Sequence, residues 1–246
     1  IGHNDLEYLE KTLKETKDQY QTRLVIIDGV YSQDGDLSLL PEIISLCKTH
    51  EAMLMLDDAH GIGVMGANGR GTAEHFNCLG QVDIITGTFS KSFGCVGGFA
   101  AASKKIIQYL KFYADSNVFS AAPTPQVTAS ILKALEIIKK EPAIRARLWE
   151  NTDYLRSRLT TEGFDIGKSV SPIFPIMIRD NKKVYEIAKM LQEKGIFTIG
   201  IVYPAVRTKE ARLRVSVLAT HEHEQLDALI NALNDINKDI KIKKEQ

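Results

Sequence analysis

The chain has 246 residues, 31 Lys+Arg against 31 Asp+Glu, and 44% hydrophobic residues. A formal net charge of zero gives no electrostatic draw toward nucleic acid or anionic lipid, and the length suits one large domain or a domain and a half. No apolar run approaches the roughly 18 residues of a transmembrane segment. No secretory leader pattern is present, and Cys47, Cys78 and Cys95 lack metal-ligand spacing, which favours a reducing cytoplasm and no metal site. The chain opens at Ile1 rather than methionine, which reads as a piece cut from something longer.

Strand and helix alternate along the chain. Leu6, Leu9 and Leu13 predict an amphipathic helix over 5–17, capped by Asn4 or Asp5. A strand follows over 24–27, and then a helix over 39–47 with Pro41 near its first turn. Apolar strands are expected over 52–56, 82–86 and 98–102, and helices over 103–113 and 124–139. Apolar rather than alternating strands in a βαβ rhythm predict a parallel sheet covered on both faces. A long helix over 142–161 reads as a bridge. Beyond it come a strand over 173–178, a helix over 183–194 ended by Gly195, a strand over 212–217 and a closing helix over 223–237. This last stretch reads as a smaller α+β unit.

The most informative segment runs Asp83-Ile-Ile-Thr-Gly-Thr-Phe-Ser-Lys-Ser-Phe-Gly-Cys-Val-Gly-Gly-Phe99. Lys91 follows a short β-branched strand, among the hydroxyls of Thr88, Ser90 and Ser92, and Gly94, Gly97 and Gly98 leave room for a ligand to approach backbone. A lysine at a strand end in a partly dry pocket has a lowered pKa and a nucleophilic amine suited to a Schiff base. A second buried-strand pattern ends in Asp57-Asp58-Ala59-His60, which places carboxylates at the carboxyl end of a strand, where open α/β sheets bind ligands. An acid on a pyridinium nitrogen beside a lysine Schiff base is what pyridoxal phosphate requires. Gly61-Ile-Gly-Val-Met-Gly66 matches G-x-G-x-x-G by letter, but Asp-Asp-Ala-His separates it from the strand and no apolar helix follows, so a loop is expected rather than a dinucleotide site.

Asp28-Gly-Val-Tyr-Ser-Gln-Asp-Gly-Asp36, Leu56-Asp-Asp-Ala-His-Gly-Ile-Gly-Val64, Gly69-Arg-Gly71, Gly87-Thr-Phe-Ser-Lys-Ser-Phe93 and Ala211-Arg-Leu-Arg214 stand in this order. In that order the chain resembles the α-oxoamine synthase family of pyridoxal phosphate enzymes over residues 1–237. The resemblance implies an α/β, fold type I transferase with a mostly parallel sheet in its large domain, here incomplete, and an α+β small domain. Residues 1–141 would be the later portion of the cofactor-binding large domain, 142–162 a bridging helix and 163–246 a small C-terminal domain. It implies that Lys91 holds pyridoxal 5'-phosphate, Asp57 pairs with its ring nitrogen, and His60 and Ser32 contact its phenolic oxygen. Thr88, with Ser90 beside it, would meet the phosphate. Arg214 would grip the amino-acid carboxylate, for which a planar fork is suited. Ser120 and Thr124 would reach the partner's phosphate across a homodimer interface.

The chemistry so implied is a Claisen-type, decarboxylative condensation of serine, glycine or alanine with an acyl-CoA, catalysed by Lys91, Asp57 and His60. Ser90-Lys-Ser-Phe93 with Gly97-Gly-Phe99 leans toward the serine palmitoyltransferase branch, with 2-amino-3-ketobutyrate CoA ligase and 8-amino-7-oxononanoate synthase as alternatives. Val202 and Ala205, in Ile201-Val-Tyr-Pro-Ala-Val-Arg207, depart from the biotin-pathway pattern. Two other classes stand beside this one: a non-catalytic, fold-related partner subunit, and another fold type I enzyme such as a transaminase. Members of the family carry an upstream segment with the amides that cradle the phosphate and a ring-stacking group. A polypeptide of these 246 residues alone is therefore expected to be inactive.

Overall fold

The computed structural model describes residues 2–243. The chain divides into two compact units. One runs to Val30 and resumes from Leu37 to Pro142; the other comprises Tyr31–Asp36 and the chain from Ala143 onward.

The first unit contains, in order, α1 (Leu6–Glu15), β1 (Leu24–Asp28), α2 (Leu40–Thr49), β2 (Met53–Asp57), α3 (Thr72–His75), β3 (Ile84–Thr88), β4 (Gly98–Ala102), α4 (Lys104–Tyr113), α5 (Asp115–Val118) and α6 (Pro125–Lys140). Local chemistry sets the helix starts. Asp5 accepts the Tyr8 amide at the head of α1, Ser103 and Thr124 cap α4 and α6, and Pro41 sits in the first turn of α2. The sheet order is β1-β2-β3-β4. The first three strands are parallel, as expected, but β4 runs antiparallel to β3. The reason is the connection: residues 89–97 hold no helix, and a parallel return needs a crossover of about a dozen residues or more.

The core of this unit lies on one face of the sheet. Leu9 and Leu13 of α1, Leu40, Ile43, Ile44 and Cys47 of α2, and Ala73 of α3 pack against Val25, Leu54 and Leu56. Leu40 and Leu56 are fully buried, and truncating either to Ala should cost about 2–5 kcal/mol. The expectation of a sheet covered on both faces holds at its centre, where Ile84 is buried and Met55 half-buried on the other face, and fails at the edge strand. Leu24 and Ile26 of β1 are 45% and 62% exposed, because α1, α2 and α3 direct their apolar stripes to the opposite face.

The second unit contains α7 (Pro142–Thr161, within this unit from Ala143), β5 (Ile173–Met177), α8 (Asn181–Glu193), β6 (Ile199–Ile201), β7 (Arg212–Ser216) and α9 (His223–Asp239). Its sheet is antiparallel, in the order β5-β7-β6. α8 starts two residues before the expected position, because the Asp180 carboxylate accepts the amides of Lys182 and Lys183. The short β6 carried no sequence pattern long enough to read. Leu155, Leu159, Phe174, Ile176, Ile187, Leu191, Leu213, Ile230 and Leu233 form a fully buried core. Period-two alternation along β7 sends Leu213 and Val215 into that core and leaves Arg212, Arg214 and Ser216 on the other face.

Candidate active site

Three parallel strands end side by side. Asp28 at the end of β1 is in register with Asp57 at the end of β2, and Asp57 with Thr86 near the end of β3. In-register neighbours present their side chains to one face, so Asp28 and Asp57 stand together. Burial pushes the Asp28 carboxyl up, the Asp57 charge pushes it further, and the Lys91 ammonium pulls it down. The two acids and Lys91 therefore share one electrostatic neighbourhood. Asp28 is a further site residue beyond those the motifs assign. Its position at a strand end, like that of Asp57, was the available sign.

Lys91 sits on the loop that joins β3 to β4. The Phe89 amide donates to the Gly97 carbonyl (2.9 Å), and the Cys95 and Gly94 amides donate to the carbonyls of Phe89 (2.6 Å) and Lys91 (3.0 Å). Phe89 packs edge-on against the buried Phe93 and tilted against Phe99, which anchors the loop beneath the lysine. The Thr88 and Ser90 hydroxyls are 2.8 Å apart, and the Ser90 amide donates to Thr88 Oγ1 (3.1 Å). Ser92 instead donates to the Ile62 carbonyl (2.8 Å), which ties the lysine loop to the glycine loop. The expected dry pocket around Lys91 is not formed by the described residues. Lys91 is exposed, because the loop projects beyond the last ladder pair, Thr88 with Gly98.

The Gly61–Gly66 segment folds as a loop, and the next helix begins only at Thr72. Beneath it Asp58 is wholly buried and accepts hydrogen bonds from the Thr72 amide and hydroxyl. A Cβ at Gly61 or Gly71 would lie 1.9 or 1.8 Å from an Asp58 oxygen, so glycine is required at both positions. Asp57 takes the opposite direction and accepts the Ala59 amide (3.0 Å), which forms the turn that carries the half-buried His60.

The other expected site residues stand on other elements. In the second unit Arg214, half-buried on β7, donates from Nε to the Ser32 carbonyl (2.6 Å) and from Nη1 to the Ser216 hydroxyl (3.0 Å). Burial lowers its pKa. In the first unit Ser120 and Thr124 are exposed on the segment leading into α6, and Thr124 caps that helix through the Val127 amide.

A mostly parallel sheet with a lysine loop and carboxylates at its strand ends defines a class of protein, and comparison agrees. The chain belongs to the aminotransferase class I and II family, whose model matches residues 2–233. It is 42% identical over 240 residues to an 8-amino-7-oxononanoate synthase of Thermoanaerobacter pseudethanolicus, a match that takes in 98% of this chain and 61% of that one. It is 43% identical over 241 residues to a serine palmitoyltransferase of Sphingobacterium spiritivorum, covering 98% and 60%. Among solved structures, SPT with PLP as its internal aldimine superposes with a TM-score of 0.92 at 30% identity, covering 98% of this chain and 61% of that one. The chain thus spans about 60% of the length of the curated relatives it matches. Both relatives carry names found among the α-oxoamine synthases that the motifs resemble.

Proposed function

We propose that this chain carries the lysine-bearing part of a pyridoxal-phosphate-dependent acyltransferase that condenses an amino acid with an acyl-CoA to an α-oxoamine. The observation that carries the reading is Lys91, set on the loop after β3 in the electrostatic neighbourhood of Asp57 and Asp28. The donor set fits the cofactor: an amine for its aldehyde, an anion for its ring nitrogen, and paired hydroxyls at Thr88 and Ser90 for its phosphate. Two carboxylates beside one lysine also leave negative charge that a cationic ring would balance. When bound, the cofactor supplies an electron sink for the charge that develops as the α-proton leaves.

The roles of the residues follow from their chemistry. Asp57 keeps the ring nitrogen protonated. Lys91 Nζ would anchor the cofactor through its aldehyde, and as a free amine it is the base suited to accept the α-proton. Arg214 has five guanidinium N–H groups, of which two meet Ser32 and Ser216; the rest are suited to a planar carboxylate. His60 and Ser32 serve at the phenolic oxygen. The two curated relatives match almost equally and do not choose between branches. The SPT neighbour and the Ser90–Phe93 context favour the serine palmitoyltransferase side.

No helix among the described residues is long and apolar enough to cross a membrane. All three cysteines are free, which supports a reducing compartment such as the cytoplasm. We assign the assembly as a homodimer that brings Ser120 and Thr124 to the partner's phosphate. Tyr109, Phe112, Tyr113 and Phe119 are 62–83% exposed, an apolar surface that a second copy would cover.

The test is to follow the cofactor absorbance with serine, glycine or alanine, with and without acyl-CoA. An amino-acid-dependent change followed by acyl-CoA-dependent release of CoA is expected. Turnover that requires a 2-oxo acid and ignores acyl-CoA would make the protein a transaminase instead.

A further inference from the structure

The short segment Tyr31–Asp36 belongs to the second unit, although the chain on both sides of it belongs to the first. Its own turn closes through the Tyr31 amide on the Asp36 carbonyl (3.0 Å) and the Gly35 amide on the Tyr31 carbonyl (2.8 Å). The carbonyls of Ser32, Gln33 and Gly35 and the Asp34 carboxylate are held by the rest of the second unit. The Gly35 carbonyl accepts the amides of Val170 and Ser171, each at 3.1 Å. Gly35 has φ +69°, and a Cβ there would lie 2.2 Å from the Ile173 carbonyl, so the segment presses on that backbone too closely for any side chain.

Two arginines on one face of β7 fasten this strap. Arg212 is 3% exposed; its Nε donates to the Glu210 carbonyl (2.7 Å), and its Nη1 donates to the Gln33 carbonyl (3.3 Å) and to the Asp34 carboxylate. Two residues along, Arg214 Nε donates to the Ser32 carbonyl (2.6 Å). A guanidinium buried this far and engaged on three sides is not placed to meet a substrate. Its charge is balanced by Asp34, and losing that partner would leave a buried cation uncompensated.

We infer that Arg212 is a positioning residue: through Gln33 and Asp34 it fixes the strap, and the strap's Ser32 carbonyl fixes the plane in which Arg214 presents its fork. The inference rests on the reading of Arg214 as the carboxylate grip. A bidentate contact depends on the orientation of the guanidinium plane, so loosening the strap weakens amino-acid binding most, while binding of the cofactor, which meets the strap through Ser32 alone, weakens less.

The experiment uses the cofactor-loaded protein. Asp34→Asn alters a partly exposed side chain and is expected to fold; Arg212→Lys keeps the charge but loses the fork. In both, the Kd for serine, read from the cofactor absorbance, should rise at least tenfold, and by a larger factor than the Kd for the cofactor, which meets the strap through Ser32 alone. In the cofactor-free protein, hydrogen exchange at the Val170 and Ser171 amides should quicken at least tenfold. Arg214→Lys is the control. If it weakens serine binding and Asp34→Asn does not, the positioning role is wrong and the carboxylate grip stands. If Arg214→Lys itself leaves serine binding unchanged, both readings are overturned. Weaker serine binding with unchanged exchange at those amides would also contradict the inference, since the loss would not then come through the strap.

Discussion

Asp58 accepts two hydrogen bonds from Thr72, one from the amide at 2.7 Å and one from the hydroxyl at 2.6 Å. This pair binds the end of β2 to the first residue of α3 and lies directly beneath the turn that carries Asp57 and His60. Burial pushes the Asp58 carboxyl up, and the two Thr72 bonds draw it partly back. Asp58→Asn keeps the shape but replaces an acceptor oxygen with an NH2, and the Thr72 hydroxyl can accept only one of its two buried N–H donors. It should destabilise the protein by about 1–3 kcal/mol in denaturant unfolding, the penalty for leaving a buried polar group unsatisfied. Thr72→Val should lose a similar amount, and the double variant less than the sum, because both remove the same contact. Strict additivity would show that the pair does not act as a unit.

Asp57 and Asp28 are neighbours in register, so their contributions can be separated by single substitutions. Asp57→Asn removes the charge proposed to hold the ring nitrogen protonated. The rate of amino-acid α-proton exchange should fall about 10²–10³-fold, equivalent to about 2.7–4 kcal/mol, with a much smaller change in cofactor affinity. Asp28→Asn should have a smaller effect on exchange. If Asp28→Asn gives the full loss and Asp57→Asn little, Asp28 is the acid on the ring.

Glu74 predicts an acid-dependent effect outside the site. Its side chain is 11% exposed, and burial alone would raise its carboxyl; hydrogen bonds from the Asn68 side chain and the Arg70 and Asn68 amides outweigh that and hold it below 4.5. An acid whose folded value is depressed adds stability that is fully present above its unfolded value. That stability is lost as pH falls through the folded one. Stability measured by urea unfolding should therefore decline below about pH 4.5, and Glu74→Gln should flatten that decline while lowering stability at pH 7. An unchanged acid limb in the variant would mean that the decline arises from other carboxylates.

The reach of sequence reasoning can be judged from particular elements. The strands ending at Asp57 and Thr88 were legible because their apolar runs stop abruptly in polar residues, and α8 because its apolar positions recur at helical spacing. The direction of β4 was not, since an apolar strand reads the same whichever way it runs; only the missing crossover over 89–97 decided it. The capture of Tyr31–Asp36 by the second unit was also invisible. It depends on Arg212 and Arg214, some 180 residues away in sequence, and no local pattern encodes so distant a partner. The exposure of Lys91 was missed for a similar reason. A strand-end lysine among hydroxyls suggests a pocket, but the walls must come from other elements, and those described here do not enclose it.

The central claim is that Lys91 is the residue to which pyridoxal phosphate attaches. Borohydride reduction of the cofactor-loaded protein, followed by proteolysis and mass mapping, tests it directly. The account predicts a single reduced pyridoxyl group, on the peptide containing Lys91, and its disappearance in Lys91→Ala together with condensation activity. A stoichiometric reduced adduct on another lysine, or an adduct that persists in Lys91→Ala, would contradict it.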